Sequence, residues 1–421
     1  MNLTEEQKEA VHKIFTWCMT DEPAMCLTGI AGSGKSTVLK EVFSGENLRR
    51  LEFKYENEDS QNLSVNIVAT TNKAAKALSD VFGQNIRTLH SFLDLRPDSP
   101  KDIKRRSYLV PKNAVKILVI DEASMLDWSI YILLTGIQKW NADKSINEDR
   151  NSQIKFLYVG DKYQLPPIKG KKPYIFNRGY REVSLERVMR TQNKYIEDLY
   201  LTARSYIPNA PEHINQIEPI RLPSAEFHDL IQKSFTTAPE DSVILGYTNQ
   251  CVIRYNKMVQ NIRGESTELV EGGVYVVNNS CIPFGIGRRL LRTEQRVRLE
   301  SVQPTIIKHT SLENIKTVKI DGIRYMAGNS EDVRNSIKLL KLLAKDKGSD
   351  SWEVVELRYF DNYVADLRPG YAMTIHKSQG STYKNVFIDV PDILKCRSTE
   401  LRNRLFYVAI SRAQENVYFL E

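Results

Sequence analysis

Hydrophobic positions in the first half of the chain occur in short runs, separated by longer stretches of mixed polarity. The runs are MCLT at 25–28, SVNIVAT at 64–70, KILVID at 116–121 and KFLYVG at 155–160. Runs of this length with helix-length spacers are typical of parallel strands that are buried on both faces. The pattern therefore predicts an α/β domain.

A second set of apolar runs begins in the middle of the chain and resumes near its end. Its members are DSVILGYT at 241–248, NVFIDV at 385–390 and NVYFL at 416–420. They predict a second α/β domain that is interrupted by an insertion at about 266–365.

The insertion has a different pattern. Short alternating segments bounded by Gly or Asn predict antiparallel strands within GGVYVVNN at 272–279, QRVRLE at 295–300 and KTVKIDGIRYM at 316–326. A helix is then predicted over about 331–347, with Ser330 as its N-cap and Gly348 at its end. Its apolar face would carry Val333, Ile337, Leu340 and Ala344.

A smaller insertion lies at 94–111, with the sequence DLRPDSPKDIKRRSYLVP. It is basic and contains three prolines, which favours a projecting loop or a small hairpin. Tyr108 is its single aromatic residue.

Composition narrows the class of protein only slightly. The 421 residues predict two to four domains, and the contents of 41% hydrophobic and 26% charged residues are ordinary for a globular protein. Lys and Arg number 59 against 52 Asp and Glu, a net charge of +7 that suits a polyanionic partner without requiring one. The apolar runs are too short for a membrane span, and five scattered cysteines without a C-x-x-C pair predict reduced thiols in the cytoplasm.

Residues 29–36, GIAGSGKS, match the phosphate-binding pattern G-x-x-x-x-G-K-S/T between a predicted strand and a predicted helix. Backbone N–H groups at such a helix start can surround phosphate oxygens. Lys35 would neutralise the β- and γ-phosphates of ATP, and Ser36 would be a ligand to Mg²⁺. The other expected nucleotide contacts are Gly29, Gly32, Ser33, Gly34 and Thr37.

The segment LVIDEAS at 118–124 places two carboxylates at the end of a predicted strand. Asp121 can hold Mg²⁺, and Glu122 can orient and deprotonate the attacking water. Such a pair is usually a solvated strand end, but its position downstream of a phosphate loop favours ATP hydrolysis.

Further segments, in this order along the chain, resemble the motifs of superfamily 1 helicases, and specifically the RecD/Dda type of subgroup B. They are LTEEQ at 3–7, VATTNKAAKAL at 68–78, TLHSFL at 88–93, VGDKYQLPPI at 159–168, SLERVMR at 184–190, GYTNQCVIRYN at 246–256, GYAMTIHKSQGSTY at 370–383 and RNRLFYVAISRA at 402–413. The family usually has proline where Thr70 stands. The compact length is most like that of a phage Dda-type helicase.

The resemblance implies roles around the nucleotide for five further residues. Gln7 would contact the adenine, although Thr4 and Gln7 also fit a helix capping box. Gln164 would sense the γ-phosphate, Arg190 would contact phosphate, and Arg412 would be the arginine finger. Gly380 would approach the nucleotide.

The resemblance also implies contacts with nucleic acid, with a purely structural role open for His90. The expected residues are Thr71, Lys73, His90, Thr248, Asn249, Thr374, His376, Lys377 and Ser378. The 94–111 insertion lies where the family carries its strand-separating pin, so Tyr108 would act there, or would only pack locally.

The implied architecture has two RecA-like parallel-sheet domains around an ATP cleft. The expected divisions are 1–93 with 112–182 for the first domain, 94–111 for the pin, 183–265 with 366–421 for the second domain and 266–365 for an SH3-like β-barrel with a helical tower-like element. The first domain would supply the P-loop and the second would supply Arg190 and Arg412 across the cleft.

The implied activity is an ATP- and Mg²⁺-dependent DNA helicase that moves 5′→3′ on single-stranded DNA. Its expected partners are single-stranded DNA and junctions with duplex, and replication proteins such as single-strand-binding proteins are further candidates. It would act as a monomer in the cytoplasm, that of the host if a phage encodes it. Three alternatives stay open: a DNA-stimulated translocase that displaces proteins with little unwinding, an RNA track, and a helicase-like binding subunit of a replication or recombination complex.

Overall fold

The computed structural model describes residues 3–57, 62–95, 114–142, 153–167, 174–209, 221–283, 290–293, 295–304, 315–345, 347–348, 351, 354–355, 360 and 363–421. The chain forms two compact units. The first unit comprises Met1–Ile217 with Ser398–Gln414, and the second comprises Glu218–Arg397 with Glu415–Glu421. The predicted domain boundaries divide the chain differently and remain predictions.

The first unit is built on a six-stranded parallel sheet in the order β3-β2-β4-β5-β1-β6. Its strands are β1 Ala24–Gly29, β2 Asn62–Ala69, β3 Arg87–Thr88, β4 Ala114–Asp121, β5 Gln153–Gly160 and β6 Arg181–Leu185. Its helices, numbered in chain order, are α1 Glu5–Cys18, α2 Lys35–Val42, α3 Gly45–Asn57, α4 Asn72–Phe82, α5 Leu89–Phe92, α6 Trp128–Ala142, α7 Lys194–Asn209 and α13 Thr399–Ile410. The four predicted strands of the first half are confirmed.

Strand β4 explains why these runs are continuously apolar. Ile117 and Val119 belong to the core on one face of the sheet, and Leu118 and Ile120 belong to the core on the other. Successive side chains of a strand point to opposite faces, so a strand covered on both sides needs apolar residues at every position.

A buried charge fastens the end of α1 to this sheet. The ammonium of Lys155 in β5 donates to the carbonyl oxygens of Trp17 at 2.7 Å, Cys18 at 3.0 Å and Thr20 at 2.5 Å. It also lies 4.6 Å from the centre of the Trp17 ring. Lys155 is fully buried, and two of these carbonyl groups also have other donors: the Thr20 N–H and hydroxyl bond to the Trp17 oxygen, and the Tyr55 hydroxyl bonds to the Cys18 oxygen.

We expect Lys155→Met to lower the free energy of unfolding by about 1–3 kcal/mol, because it removes a buried donor that three carbonyl groups at the end of α1 share. Chemical denaturation of the purified variant measures this change. A variant as stable as the wild-type protein would contradict the assigned role of the lysine.

The second unit contains two sheets. In the first of them, three neighbouring strand pairs are parallel. This sheet has the order β15-β8-β16-β17-β7, with β8 parallel to both β15 and β16 and β17 parallel to β7. Its strands are β7 Arg221–Leu222, β8 Ser242–Gly246, β15 Ala372–Thr374, β16 Tyr383–Asp389 and β17 Ala413–Leu420. The helices are α8 Ser224–Thr237, α9 Asn249–Ile262, α11 Ile375–Ser378 and α12 Val390–Ile393. The three apolar runs predicted for this region are confirmed as strands.

The other sheet of this unit is formed mostly by the predicted insertion, in the order β10-β9-β14-β13-β12-β11. Its strands are β9 Val274–Val277, β10 Arg296–Arg298, β11 Ser301–Pro304, β12 Lys316–Ile320, β13 Ile323–Asn329 and β14 Val364–Arg368. Neighbouring strands are antiparallel except β13 and β14, which are parallel. We call it the inserted sheet; its last strand passes residue 365, where the sequence analysis ends the insertion.

A helix follows β13, α10 at Ser330–Leu343, and two details of its prediction were wrong. Its N-cap is Asn329 and not Ser330, because the Asn329 side chain accepts from the backbone N–H groups of Glu331 and Asp332, both at 3.0 Å. The helix also ends before the predicted Gly348. Val333 and Leu340 are buried against the sheet as the pattern predicted.

Most of the 94–111 insertion, including Tyr108, lies outside the described residues. Within the part of the chain that is described, no helix has both the length and the apolar character that a membrane crossing requires.

Candidate active site

The loop between β1 and α2 needs glycine at two positions. Gly32 and Gly34 have φ angles of 82° and 85°, in the left-handed region that other residues avoid. A Cβ on Gly32 would overlap the side chain of Arg190, and a Cβ on Gly34 would overlap the amide of Gln7. The two glycines therefore permit the turn. They also let the side chains of Arg190 and Gln7, both predicted to contact the nucleotide, approach the loop closely.

Lys35, the first residue of α2, folds back onto this loop. Its ammonium donates to the carbonyl oxygens of Gly29 at 2.9 Å and Ile30 at 3.0 Å. Burial lowers the pKa of Lys35, while the nearby carboxylates of Asp161 and Glu122 favour its charged form. Because both acceptors are neutral carbonyl groups, a phosphate oxygen would be a stronger partner for the same ammonium.

Three hydroxyl groups line the same loop and the start of α2. Ser33 is buried, and its hydroxyl has no hydrogen-bond partner among the described residues. Ser36 and Thr37 lie in the first turn of α2, where the Thr37 N–H donates to the Gly34 carbonyl oxygen at 3.0 Å, and the N–H groups that precede it have no acceptor within the helix. A buried hydroxyl without a partner beside such N–H groups fits a site for phosphate oxygens.

Gln7 makes two contacts, and the first of them is the capping box that was expected as an alternative to an adenine contact. Its side-chain oxygen accepts from the backbone N–H of Thr4 at 3.1 Å, which completes the capping box of α1. Its amide nitrogen donates to the carbonyl oxygen of Ser33 at 3.1 Å. The second amide hydrogen and the second oxygen lone pair remain as groups that could pair with an adenine edge.

Asp121 and Glu122 stand together at the carboxyl end of β4. The backbone N–H of Glu122 donates to Asp121 Oδ1 at 2.9 Å, and Glu122 has a φ of 53°. Burial, and then the charge of Glu122, raise the pKa of Asp121. Glu122 Oε2 is buried without a hydrogen-bond partner in the described structure. Two carboxylates this close together would be stabilised by a bound cation. The unpaired oxygen of Glu122 could also accept a hydrogen bond from a polar reactant.

Helix α13 is fastened to this site by two side chains. The Tyr407 hydroxyl donates to Asp161 Oδ2 and accepts from the Ala31 N–H at 3.3 Å, so it joins the phosphate loop to the residue after β5. Arg404 donates to the carbonyl oxygen of Gln164 at 2.7 Å and to that of Lys162. The predicted γ-phosphate sensor is thus attached to the helix that precedes the predicted arginine finger.

We expect Tyr407→Phe to lower the free energy of unfolding by about 1–3 kcal/mol, because Asp161 is buried and would lose its phenolic partner. Tyr200→Phe is a matched control, since the ring of Tyr200 lies 6.2 Å from that of Tyr407 and its buried hydroxyl has no partner among the described residues. Thermal unfolding compares the two variants. Equal stability of the two would show that the contact between Tyr407 and Asp161 contributes nothing.

Two arginines meet at the end of α13. Arg190 donates to the Ser411 carbonyl oxygen at 2.7 Å, while Arg412 donates to the Val408 carbonyl oxygen at 3.0 Å and to Ser411 Oγ at 2.8 Å. Burial, and then the positive charge of Arg190, lower the pKa of Arg412 to about 10, and Glu122 opposes this. At neutral pH both guanidinium groups are charged, so the site holds converging positive charge that suits a polyphosphate.

Arg190 and Arg412 therefore lie in the same compact unit as the phosphate loop, whereas the sequence analysis placed them in a second domain. The reason is the packing of α13 against α7 and its ties to residues 161–164. Gly380 is in the second unit, with a φ of 78°.

Two family models match the chain, an AAA domain at residues 7–170 and a UvrD-like helicase C-terminal domain at residues 369–420. The chain is 21% identical to the ATP-dependent DNA helicase dda of Enterobacteria phage T4, over 100% of this chain and 99% of that protein. It is 25% identical to the ATP-dependent DNA helicase Pif1 of Campylobacter jejuni, over 71% of this chain and 67% of that protein. The crystal structure of Pif1 helicase from Candida albicans has the same fold, with a TM-score of 0.52 and 18% identity over 100% of this chain and 94% of that one.

The chain belongs to the superfamily 1B helicases of the Dda, Pif1 and RecD type. It is an ATP-hydrolysing DNA helicase. The two RecA-like α/β sheets expected from the sequence fit this family.

In the first unit of this helicase, three predicted DNA-contact residues lie beyond β2 and around β3. Thr71 is the N-cap of α4, and its hydroxyl accepts from the Ala74 N–H at 3.2 Å. Lys73 is half-buried in the first turn of α4, and His90 is exposed in α5. The start of α4 thus presents backbone N–H groups together with a lysine, a combination that suits a phosphate.

In the second unit, Thr248 and Asn249 stand at the start of α9. The Thr248 hydroxyl donates to Asp392 Oδ1 at 2.9 Å and accepts from the Cys251 N–H at 3.1 Å. Asp392 also accepts from the Thr248 backbone N–H at 2.7 Å. Thr248 therefore fixes the helix start, while Asn249 is exposed.

The other predicted DNA contacts of the second unit lie around α11. Thr374 and Ser378 are buried, and the Ser378 hydroxyl donates to the Ile375 carbonyl oxygen at 2.8 Å. Burial lowers the pKa of His376, which favours the neutral imidazole. Lys377 is half-buried and has partners on the inserted sheet, described below.

Several residues of the site were not singled out from the sequence. Three of them, Asp161, Arg404 and Tyr407, lie inside motifs that the sequence analysis recognised, so their positions in those motifs could have identified them. Asp392 and Arg368 lie outside them, and only their contacts in the fold identify them.

Proposed function

We propose that this helicase translocates 5′→3′ along single-stranded DNA, with ATP and Mg²⁺, and separates duplex ahead of it. The observation that carries the chemical part is the convergence of Lys35, Glu122, Gln164 and Arg412 in one compact unit. The direction follows from the family type, for which the sequence analysis expects 5′→3′ movement.

Mg²⁺ would be held by the Ser36 hydroxyl and the Asp121 carboxylate, together with phosphate oxygens and water. Oxygen donors are those that Mg²⁺ prefers, and it usually takes only one or two from the protein in such sites. The raised pKa of Asp121 supports this assignment, because a nearby cation would relieve its crowding with Glu122. Bound Mg²⁺ would neutralise charge on the phosphates.

The protein's own groups would complete the hydrolysis step. Glu122, with a buried oxygen that has no hydrogen-bond partner among the described residues, would align the attacking water and accept its proton. Lys35 would exchange its two carbonyl partners for phosphate oxygens, and Arg412 would neutralise the charge that develops on the γ-phosphate. Gln164 would report the γ-phosphate to α13 through its link to Arg404.

DNA would be held mainly by its backbone, at the starts of α4 and α9 and around α11. Backbone N–H groups, Asn249 and Lys377 recognise phosphate without reading bases, so binding would depend weakly on sequence and strongly on salt.

Displacement of streptavidin from biotinylated single-stranded DNA tests movement and direction without a duplex. We expect ATP to accelerate release from a 3′ biotin by at least about tenfold and to leave release from a 5′ biotin unchanged, since a 5′→3′ motor collides only with the former. Faster release from the 5′ end would overturn the direction. Unchanged release at both ends would overturn translocation.

A further inference from the structure

A chain of hydrogen bonds connects the inserted sheet to two of the proposed DNA contacts. It runs from Lys377 through Asn278, Asp366 and Arg368 to Asn249. All five residues belong to the second unit. We call this set the Asp366 network.

The centre of the network is a buried carboxylate on β14. Asp366 accepts from Asn278 Nδ2 at 2.5 Å and from Arg368 at 3.1 Å and 3.4 Å. The side chains of Asp366 and Arg368 are only 9% and 13% exposed. A carboxylate removed from water is tolerated when paired and hydrogen-bonded in this way, so both partners are held in place.

On one side, the network ends at Asn249, the exposed first residue of α9. Arg368 donates through Nη1 to the side-chain oxygen of Asn249 at 3.0 Å. With its oxygen occupied, the exposed amide of Asn249 presents its NH₂ group as the donor. A donor is the group that a phosphate oxygen requires.

On the other side, the network ends on α11. The Lys377 ammonium donates to the Asn278 backbone oxygen at 3.1 Å and also to its side-chain oxygen. Asn278 is itself fixed to β14, because its backbone N–H donates to the Asp366 carbonyl oxygen at 2.8 Å. A lysine held by such contacts has already lost much of the rotamer freedom that DNA binding would otherwise remove.

We propose that Asp366 and Arg368 are positioning residues for DNA binding, which orient Lys377 and Asn249 toward the DNA backbone. This role rests on the proposed function, in which Lys377 and Asn249 contact single-stranded DNA. The inserted sheet thereby contributes to the grip on the strand through residues that do not touch it.

The test is the affinity for a fluorescent oligothymidylate of about 15 nucleotides, measured by anisotropy at several salt concentrations. The variants are Arg368→Gln, Asp366→Asn, Asn249→Ala and Lys377→Ala, with the pairs Arg368→Gln/Asn249→Ala and Asp366→Asn/Lys377→Ala. Arg298→Gln is the matched control, because Arg298 lies on the same inserted sheet and donates to the Gly272 carbonyl oxygen outside the network.

We expect each single variant of the network to weaken binding by about five- to tenfold, while the control binds normally. Each pair should bind no more weakly than its direct-contact variant alone, since a positioning residue acts only through the contact that it orients. Arg368→Gln should leave the salt dependence unchanged, whereas Lys377→Ala should reduce its slope by about 0.7. Arg298→Gln should keep the wild-type DNA-independent ATPase activity. Arg368→Gln and Asp366→Asn should melt at a lower temperature, because each leaves a buried charged partner unpaired, so binding is compared at a temperature where every variant is folded.

Three other results would overturn the proposal. Normal binding by both Asn249→Ala and Lys377→Ala would overturn the proposed DNA contacts and the positioning role with them. Weakened binding by those two, with normal binding by Arg368→Gln and Asp366→Asn, would overturn the positioning role alone. Additive losses in the pairs, or a reduced salt slope for Arg368→Gln, would mean that these residues contact DNA directly, which also overturns it.

Discussion

Arg412→Ala is expected to bind ATP and single-stranded DNA yet to hydrolyse ATP about a thousandfold more slowly when saturated with DNA. Arg412 lies beside Arg190 and Glu122 in the proposed ATP site, and its guanidinium would act mainly on charge that develops in the transition state. The loss should therefore fall on kcat, with little change in KM for ATP. Steady-state ATPase with saturating oligothymidylate measures both.

Two further variants separate the finger from a general effect on folding. Arg412→Lys keeps a positive charge without the planar fork and should recover only part of the rate. Arg402→Ala removes an arginine from the same helix, where it bonds to Thr399, and should remain near wild type. DNA-stimulated hydrolysis by Arg412→Ala at the wild-type rate would exclude it as the finger.

Glu122→Gln is expected to reduce kcat for ATP by about a hundredfold to ten-thousandfold while retaining affinity for ATP and for DNA. The substitution keeps the shape of the side chain but removes the base, and Glu122 Oε2 has no hydrogen-bond partner in the described structure that the amide would disturb. Single-turnover hydrolysis in a preformed complex with DNA measures the chemical step separately from product release.

Glu46→Gln, at an exposed position in the first turn of α3, is the control for the loss of one carboxylate. It should hydrolyse ATP normally. If Glu122→Gln also hydrolysed ATP at the control rate, the general base would have to be another group.

Much of the fold follows from local pattern. The runs that became β1, β2, β4 and β5 are apolar at successive positions because the sheet is covered on both faces. The hairpin of β12 and β13 follows from Asp321 and Gly322, both with positive φ, as a two-residue turn of this kind requires.

Other features depend on contacts that are distant in sequence. Strand β14 is parallel to β13 and antiparallel to β9, a pairing that no local pattern specifies. The N-cap of α10 is Asn329 and not the predicted Ser330. Both residue types are good N-caps, and the choice depends on where β13 ends, which is at Asn329.

In the candidate active site too, some features follow from local sequence and others from contacts that are distant in sequence. Motif spacing predicted the proximity of Lys35, Asp121 and Glu122, since each follows a strand of one parallel sheet. It did not predict the bond between Tyr407 and Asp161, which are 246 residues apart in the chain. Gln7 confirms the capping box through its side-chain oxygen, while its amide nitrogen bonds to Ser33 in the phosphate loop, and its adenine contact stays a prediction.

The most direct test of the account is unwinding of a short duplex that carries a single-stranded tail at either its 5′ or its 3′ end, with ATP and Mg²⁺. Glu122→Gln serves as the hydrolysis-deficient control. We expect ATP-dependent strand separation from the 5′-tailed duplex, little from the 3′-tailed duplex and none with Glu122→Gln. Separation only from the 3′ tail would contradict the direction, and DNA-stimulated ATP hydrolysis without separation of either substrate would contradict unwinding.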